Sequence, residues 1–63
     1  MCEFKILKGE KLVFKDAVYA KAEGENVTVK DVLGIAQTFK KCTITEVDVG
    51  SERLVLAPIK KKQ

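Results

Sequence analysis

The sequence predicts an all-β domain, and three observations lead to that fold class. Apolar and polar residues alternate with a period of two over most of the chain, which is typical of strands with one buried face. Turn residues, glycine above all, recur about every ten residues. The chain has 63 residues, 46% of them hydrophobic and 33% charged, which is the composition of a single globular domain. We therefore expect a small, highly curved antiparallel sheet or barrel-like fold of six to seven short strands.

The first three predicted strands follow one another closely. "CEFKI" alternates between apolar and charged residues and is a half-buried strand. Gly9 begins a turn, after which "KLVFK" returns as a second strand that ends near Asp16. "AVYAKAE" follows as a third strand.

The centre of the chain contains the strongest hairpin signal. "EGEN" supplies Gly24 and Asn26, both tolerant of positive φ, and leads directly into the alternating "VTVKDV". The next stretch, "DVLGIAQTF", has apolar residues at helical spacing, but Gly34 disfavours a helix. We expect a bend or short turn there, followed by a strand through Phe39.

The last two predicted strands include one break in the alternation of apolar and polar residues. In "KCTITEVDVG" the apolar positions change from even to odd, which predicts a β-bulge near Thr45 and Glu46. Gly50 begins the final turn. "RLVLAPI" is apolar on both faces, as expected of a strand covered on two sides, and Pro58 should end it because proline donates no hydrogen bond.

Size and composition also predict the organisation of the molecule. A chain of this length buries only about 60% of the surface that its unfolded form exposes, so its stability as a monomer is marginal and we expect a homodimer. We assign residues 1–59 to a single β domain and residues 60–63 to a flexible, basic C-terminal tail. The sequence shows neither a membrane span nor a secretory signal, and we expect a cytoplasmic protein without membrane contact.

The net charge of +3 comes from the tail alone. Residues 1–59 carry nine basic and nine acidic side chains, and Lys60, Lys61 and Lys62 supply the excess. A neutral body gives little support for binding to phosphate backbones.

Enzymatic chemistry is not expected. The chain has no histidine, the commonest general base and the commonest metal ligand. It has no glycine-rich phosphate loop, and its carboxylates alternate along strand faces as surface residues do. We predict that the protein is not an enzyme.

A nucleic-acid site is one alternative, because small curved β folds bind single strands through basic grooves and aromatic platforms. Core positions account for Phe4, Phe14 and Phe39. The candidate residues for this alternative are therefore Tyr19, Lys21 on the same strand face, and the tail lysines 60, 61 and 62.

A metal site at the N-terminus is the second alternative. Cys2 can bind a metal through its thiolate and a main-chain nitrogen, and Met1 either supplies its own amine or is removed to free that of Cys2. One such arm has too few donors, but two arms in a two-fold dimer supply a nitrogen and sulfur set of the kind that suits nickel(II) or copper(II). We expect Cys42 to be an ordinary buried residue.

Three stretches resemble a known family: the start "MCE", the central "VYAKAEGENVTVKDVLG" and the later "ITEVDVGSERLVL". They are similar to the CooT-like family of very small prokaryotic proteins, which are also described as predicted RNA-binding proteins. The resemblance extends from Met1 to about Ile59. Its most specific elements are the cysteine after the initiator methionine and the "DVLG" that follows the central hairpin.

The resemblance implies a homodimer of small β subunits and a nickel-binding accessory role with Cys2 as the key ligand and Met1 flanking it. The metal would be nickel(II), stored or delivered to a metalloenzyme client. Two hypotheses from different classes remain, a nickel-binding accessory protein and a nucleic-acid-binding β module, together with a purely structural interaction protein.

Overall fold

The computed structural model describes residues 3–59, which form six β-strands. The strands are β1 (Phe4–Lys8), β2 (Lys11–Glu23), β3 (Asn26–Asp31), β4 (Ala36–Lys40), β5 (Cys42–Asp48) and β6 (Arg53–Pro58). The fold is all-β, as predicted. Within this described range, no helix has the length and apolar character needed to cross a membrane.

All six strands lie in one mixed sheet, in the order β4-β3-β2-β1-β6-β5. The prediction of a purely antiparallel sheet was wrong, because β1 and β6 pair in parallel, with Lys5 opposite Arg53. β2 occupies one edge of β1, and the last strand, β6, occupies the other. β6 begins beside the start of β1, because the Lys5 N–H donates to the carbonyl of Glu52, the residue before β6, at 2.8 Å. The two strands therefore run in the same direction.

β2 is one bent strand of 13 residues, whereas the sequence predicted two strands meeting near Asp16. Asp16 has a φ of +61°, a left-handed conformation that aspartate tolerates better than most residues. This residue bends the strand without ending it. The first half of β2 can therefore pair with β1, and the second half, from Ala17 onward, with β3.

The predicted turns are confirmed. Gly9 and Gly24 each begin a two-residue hairpin turn at positive φ, as such turns require. A turn through Gly34 leads into β4, which contains Phe39. The bulge in β5 lies at Thr45, where the pairing with β6 shifts by one residue.

The sheet curls, but it does not close into the barrel that the sequence offered as one possibility. β3 and β5, which are distant in the sheet order, contact each other, so the expected strong curvature is present. The Cys42 N–H donates to the Glu25 carbonyl at 2.9 Å and links the two halves at one end. In the described chain β4 pairs only with β3 and β5 only with β6, so the edge strands do not join along their length.

The core lies inside this curl and consists of seven buried residues: Ile6, Ala17, Val27, Val29, Cys42, Leu54 and Leu56. Phe4, Phe14 and Phe39 pack against it and are partly buried, which confirms their predicted core positions. Cys42 is the buried residue that the sequence predicted, and its thiol donates to the Lys40 carbonyl at 3.4 Å.

Candidate functional site

Several predicted site residues lie outside the part of the chain that the structure describes. They are Met1, Cys2, Lys60, Lys61 and Lys62. Phe4, the first residue of β1, is two residues after Cys2, a span of at most about 7 Å of extended chain. The surroundings of Phe4 are therefore the part of the described structure that bears most directly on the N-terminal metal hypothesis.

Phe4 lies on the wall of an open apolar groove of about 160 Å³. Its floor is formed by Ile6 and Leu54, which also belong to the core. The other walls come from β2 and β5. The wall residues used below are Phe4, Val18, Tyr19 and Val47. The lining is predominantly apolar, and Val47 remains 54% exposed, so the groove is not filled by the described chain.

An apolar loop projects beside this groove. We call residues 32–35 the VLGI loop. It follows Asp31, which pairs with Ala17 of the groove, and Leu33 at its tip is 81% exposed. The Asp31 Oδ1 accepts hydrogen bonds from the Leu33 and Ile35 backbone N–H groups, both at 2.9 Å. A backbone bond from the Asp31 N–H to the Ile35 carbonyl, at 3.0 Å, closes the loop.

The turn between β5 and β6 follows Asp48, the neighbour of Val47 in the groove lining. The Ser51 N–H donates to the Asp48 Oδ1 at 3.2 Å, and the Arg53 guanidinium lies 3.9 Å from the Asp48 Oδ2. The side-chain and backbone hydrogen bonds of Ser51, with a smaller contribution from Arg53, hold the pKa of Asp48 below its ordinary value. Asp48 therefore stays ionised beside Val47 over the neutral pH range.

Tyr19 and Lys21 lie on β2, as the nucleic-acid hypothesis required, and Tyr19 is 43% exposed. The ring of Tyr19 is covered by another lysine, because the Lys30 Nζ lies 4.6 Å from its centroid. Lys21 forms an ion pair with Glu23 at 3.7 Å. Tyr19 and Lys21 are two residues apart on one strand. Each already contacts a charged side chain of the same chain, Lys30 in the case of Tyr19 and Glu23 in the case of Lys21.

Cys42 lies at the opposite end of β6 from the start of β1. It pairs with Pro58 at one end of β6, whereas β1 begins beside Arg53 at the other end, roughly 16 Å of strand away. Its side chain is also buried. Between Glu3 and Ile59 there is no group of three cysteine, aspartate or glutamate side chains placed to hold a metal ion.

The groove and the VLGI loop are the features that sequence analysis missed. The signal for the loop was available, because three of its four residues are apolar in a turn, where polar residues are usual. The signal for the groove was not, since Val47 follows the same alternation as any buried strand residue. Its exposure depends on how far the sheet curls.

These observations define a small all-β domain that carries an apolar groove beside the start of its first strand. The chain belongs to the CooT family: residues 1–57 match the family described as the CO dehydrogenase accessory protein CooT. That family assignment indicates an accessory role, as the resemblance implied. No curated protein sequence matches the chain.

Proposed function

We propose that the protein is a nickel-binding accessory protein that holds nickel(II) between two subunits for storage or delivery. The ligands are the two Cys2 thiolates and main-chain nitrogens at the two N-termini, at or next to Met1. A cytoplasmic CO dehydrogenase is the client enzyme. The observation that carries the proposal is the family match, which begins at residue 1 and so includes Cys2.

The described structure supports this proposal by elimination. The chain has two cysteines and no histidine. Cys42 is buried in the core and its thiol is hydrogen-bonded, so Cys2 is the thiol left for a metal. Thiolate and nitrogen donors suit nickel(II), and the apolar groove next to Phe4 would limit the access of water to a metal bound nearby.

The nucleic-acid alternative has less support. Tyr19 and Lys21 contact Lys30 and Glu23 on the same chain, and residues 1–59 are electrically neutral overall. We therefore do not propose RNA binding, and expect no salt-sensitive binding of single-stranded RNA by fluorescence anisotropy at low ionic strength.

The decisive test compares the two cysteines by native mass spectrometry with and without nickel. We expect the wild type to bind one nickel ion per dimer, Cys2→Ser to lose this binding, and Cys42→Ala to keep it. Cys42→Ala is the matched control because it also removes one thiol per chain. Undiminished nickel binding by Cys2→Ser would disprove the proposal, and the same spectra report whether Met1 is retained.

A further inference from the structure

The lysines of the described residues are distributed unevenly along the sheet. Lys8 pairs with Lys11 at the hairpin between β1 and β2, and Lys40 and Lys41 lie where β4 leads into β5. All four side chains are exposed, and within residues 3–59 none of the four forms an ion pair. We call these four lysines the basic end.

The two pairs of lysines lie at the same end of β6. The Gly9 N–H, in the hairpin turn after Lys8, donates to the Leu56 carbonyl at 3.1 Å. Pro58 pairs with Cys42, the residue that follows Lys41. Leu56 and Pro58 are two residues apart on β6, about 7 Å of extended strand, so the two pairs of lysines are neighbours.

The sequence adds three more lysines next to the basic end. The Ile59 N–H donates to the Lys41 carbonyl at 2.8 Å, so Ile59 lies beside Lys41. Lys60, Lys61 and Lys62 follow Ile59 directly in the sequence. Three residues span at most about 10 Å of chain, which keeps these charges close to the basic end.

Acidic residues outnumber basic ones at the other end of the sheet, where β1 begins. The acidic residues there are Glu3, Asp16, Asp31, Asp48 and Glu52, against the basic Lys5, Lys15, Lys30 and Arg53. Residues 1–59 are therefore neutral in sum but polarised along the sheet. A polarised charge distribution of this kind orients a protein as it approaches a charged partner.

The basic end fits an acidic protein surface better than a phosphate backbone. Glu10 lies in the turn between Lys8 and Lys11. A continuous chain of phosphates is repelled by such an interspersed carboxylate, whereas a protein surface can present a basic group opposite it. The aromatic residue next to Lys40 is Phe39, which packs against the core and so offers no platform for stacked bases.

We propose that the basic end is the surface through which the protein docks on an acidic surface of its client enzyme. The identity of the client rests on the proposed function, whereas the charges that make the contact do not. Lys8 lies four residues after Phe4, about 13 Å of strand, at the end of β1 that is farther from Cys2. Docking and metal binding therefore use different parts of the chain and can be lost independently.

The first test measures docking without added nickel, by surface plasmon resonance at low ionic strength on the immobilised CO dehydrogenase of the same organism. We expect Lys8→Glu and Lys40→Glu each to raise the dissociation constant about five- to thirtyfold, because repulsion replaces attraction. Lys15→Glu is the matched control: it is exposed and changes the net charge equally, but it lies next to Asp16, away from the basic end. It should change the dissociation constant less than about twofold. Circular dichroism establishes that each variant is folded.

The second test distinguishes the two classes of acidic partner. Binding of the wild type to the enzyme should weaken as the salt concentration rises, because exposed charges are screened. In the same low-salt buffer, a single-stranded oligouridylate should not bind by fluorescence anisotropy. Binding of this RNA that is lost in Lys40→Glu would assign the basic end to nucleic acid and overturn the proposal.

Three results of the first test would also overturn the proposal: a wild type that does not bind the enzyme, binding that survives both Lys8→Glu and Lys40→Glu, or an equal loss in Lys15→Glu. Native mass spectrometry of nickel binding is a separate readout, and Cys2→Ser should dock as the wild type does. If the wild type docks through the basic end but does not bind nickel, only the nickel-binding role fails. If it binds nickel but does not dock, only the docking proposal fails.

Discussion

Leu54 and Leu56 lie on the same face of β6, two residues apart, yet they border different regions. Leu56 is fully buried in the core, whereas Leu54 borders the apolar groove, where Val47 is half exposed. At the Leu56 end, the hydrogen bond from Cys42 to the Glu25 carbonyl holds the two halves of the sheet together. At the Leu54 end the sheet stays open. Identical residue types on one strand can therefore line a closed core or an open groove, depending on what the curl of the sheet covers.

Truncating the two regions should give the largest difference. We expect Leu56→Ala to lower the free energy of unfolding by about 2–5 kcal/mol, because it leaves a cavity in a closed core. Val47→Ala should cost less than about 1 kcal/mol, because half of its side chain already contacts solvent in the single chain. Guanidinium denaturation, at a protein concentration where the chain is monomeric, measures both. Equal losses would mean that the groove is part of the core.

The backbone of the VLGI loop can be tested with two glycines that flank the groove. Gly34 has a φ of +86° and open space around its Cβ position, so Gly34→Ala should cost about 1–2 kcal/mol from backbone strain alone. Gly50 lies outside the positive-φ region, and an added Cβ would meet the Asp48 Oδ1 at an ordinary 3.5 Å. Gly50→Ala should therefore be nearly neutral, and thermal denaturation compares the two. A costly Gly50→Ala beside a harmless Gly34→Ala would contradict the loop conformation.

The carboxylate of Asp31 should have a smaller effect. Asp31→Ala removes the acceptor for the Leu33 and Ile35 N–H groups, which we expect to cost about 1 kcal/mol, and the exchange of both amide protons should become faster. Asp31→Asn keeps an oxygen that can accept both bonds and serves as the control. Both are measured by hydrogen exchange with NMR detection. Protection that is unchanged in Asp31→Ala would show that the backbone bonds order the loop unaided.

The smallest effect is expected at Asp48, next to Val47 of the groove lining. Its pKa lies below the ordinary value of about 3.9 because Ser51 donates hydrogen bonds to its ionised form. Since the folded-state pKa is the lower one, the stabilisation is complete above the unfolded pKa and is lost as the pH falls through the folded pKa. NMR titration should show the pKa of Asp48 rising in Ser51→Ala, while Ser51→Thr keeps it low. No change in Ser51→Ala would leave the backbone donor as the main cause.

Sequence patterns predicted the local features of this fold and missed its long-range ones. Alternation and turn chemistry identified the two glycine hairpins, the bulge at Thr45 and the buried Cys42, because each depends on neighbouring residues. The parallel pairing of Lys5 with Arg53 depends on where the last strand arrives, which no local pattern specifies. The sequence predicted that a strand ends near Asp16, whereas this residue bends β2 at positive φ without ending it.

In the candidate site, too, features that depend on neighbouring residues differ from features that depend on the whole sheet. The role of Cys2, which lies outside the described residues, stays a prediction that depends on one thiol next to main-chain nitrogens. The groove could not be predicted, because it is formed by residues from four strands and is open only where the sheet fails to close. The VLGI loop was visible in the sequence as apolar residues in a turn, but its position beside the groove depends on the pairing of Asp31 with Ala17.

The parallel pairing of β1 with β6 also determines when the protein can fold. Lys5 pairs with Arg53, so the first strand of the chain must wait for the last. At a synthesis rate of about 5–20 residues per second, the partner of β1 is made about 2–10 s after β1 itself. During that interval the N-terminus is outside any completed sheet. The wall of the groove at Phe4 is therefore made first, and the groove is completed only when the last strand has been synthesised.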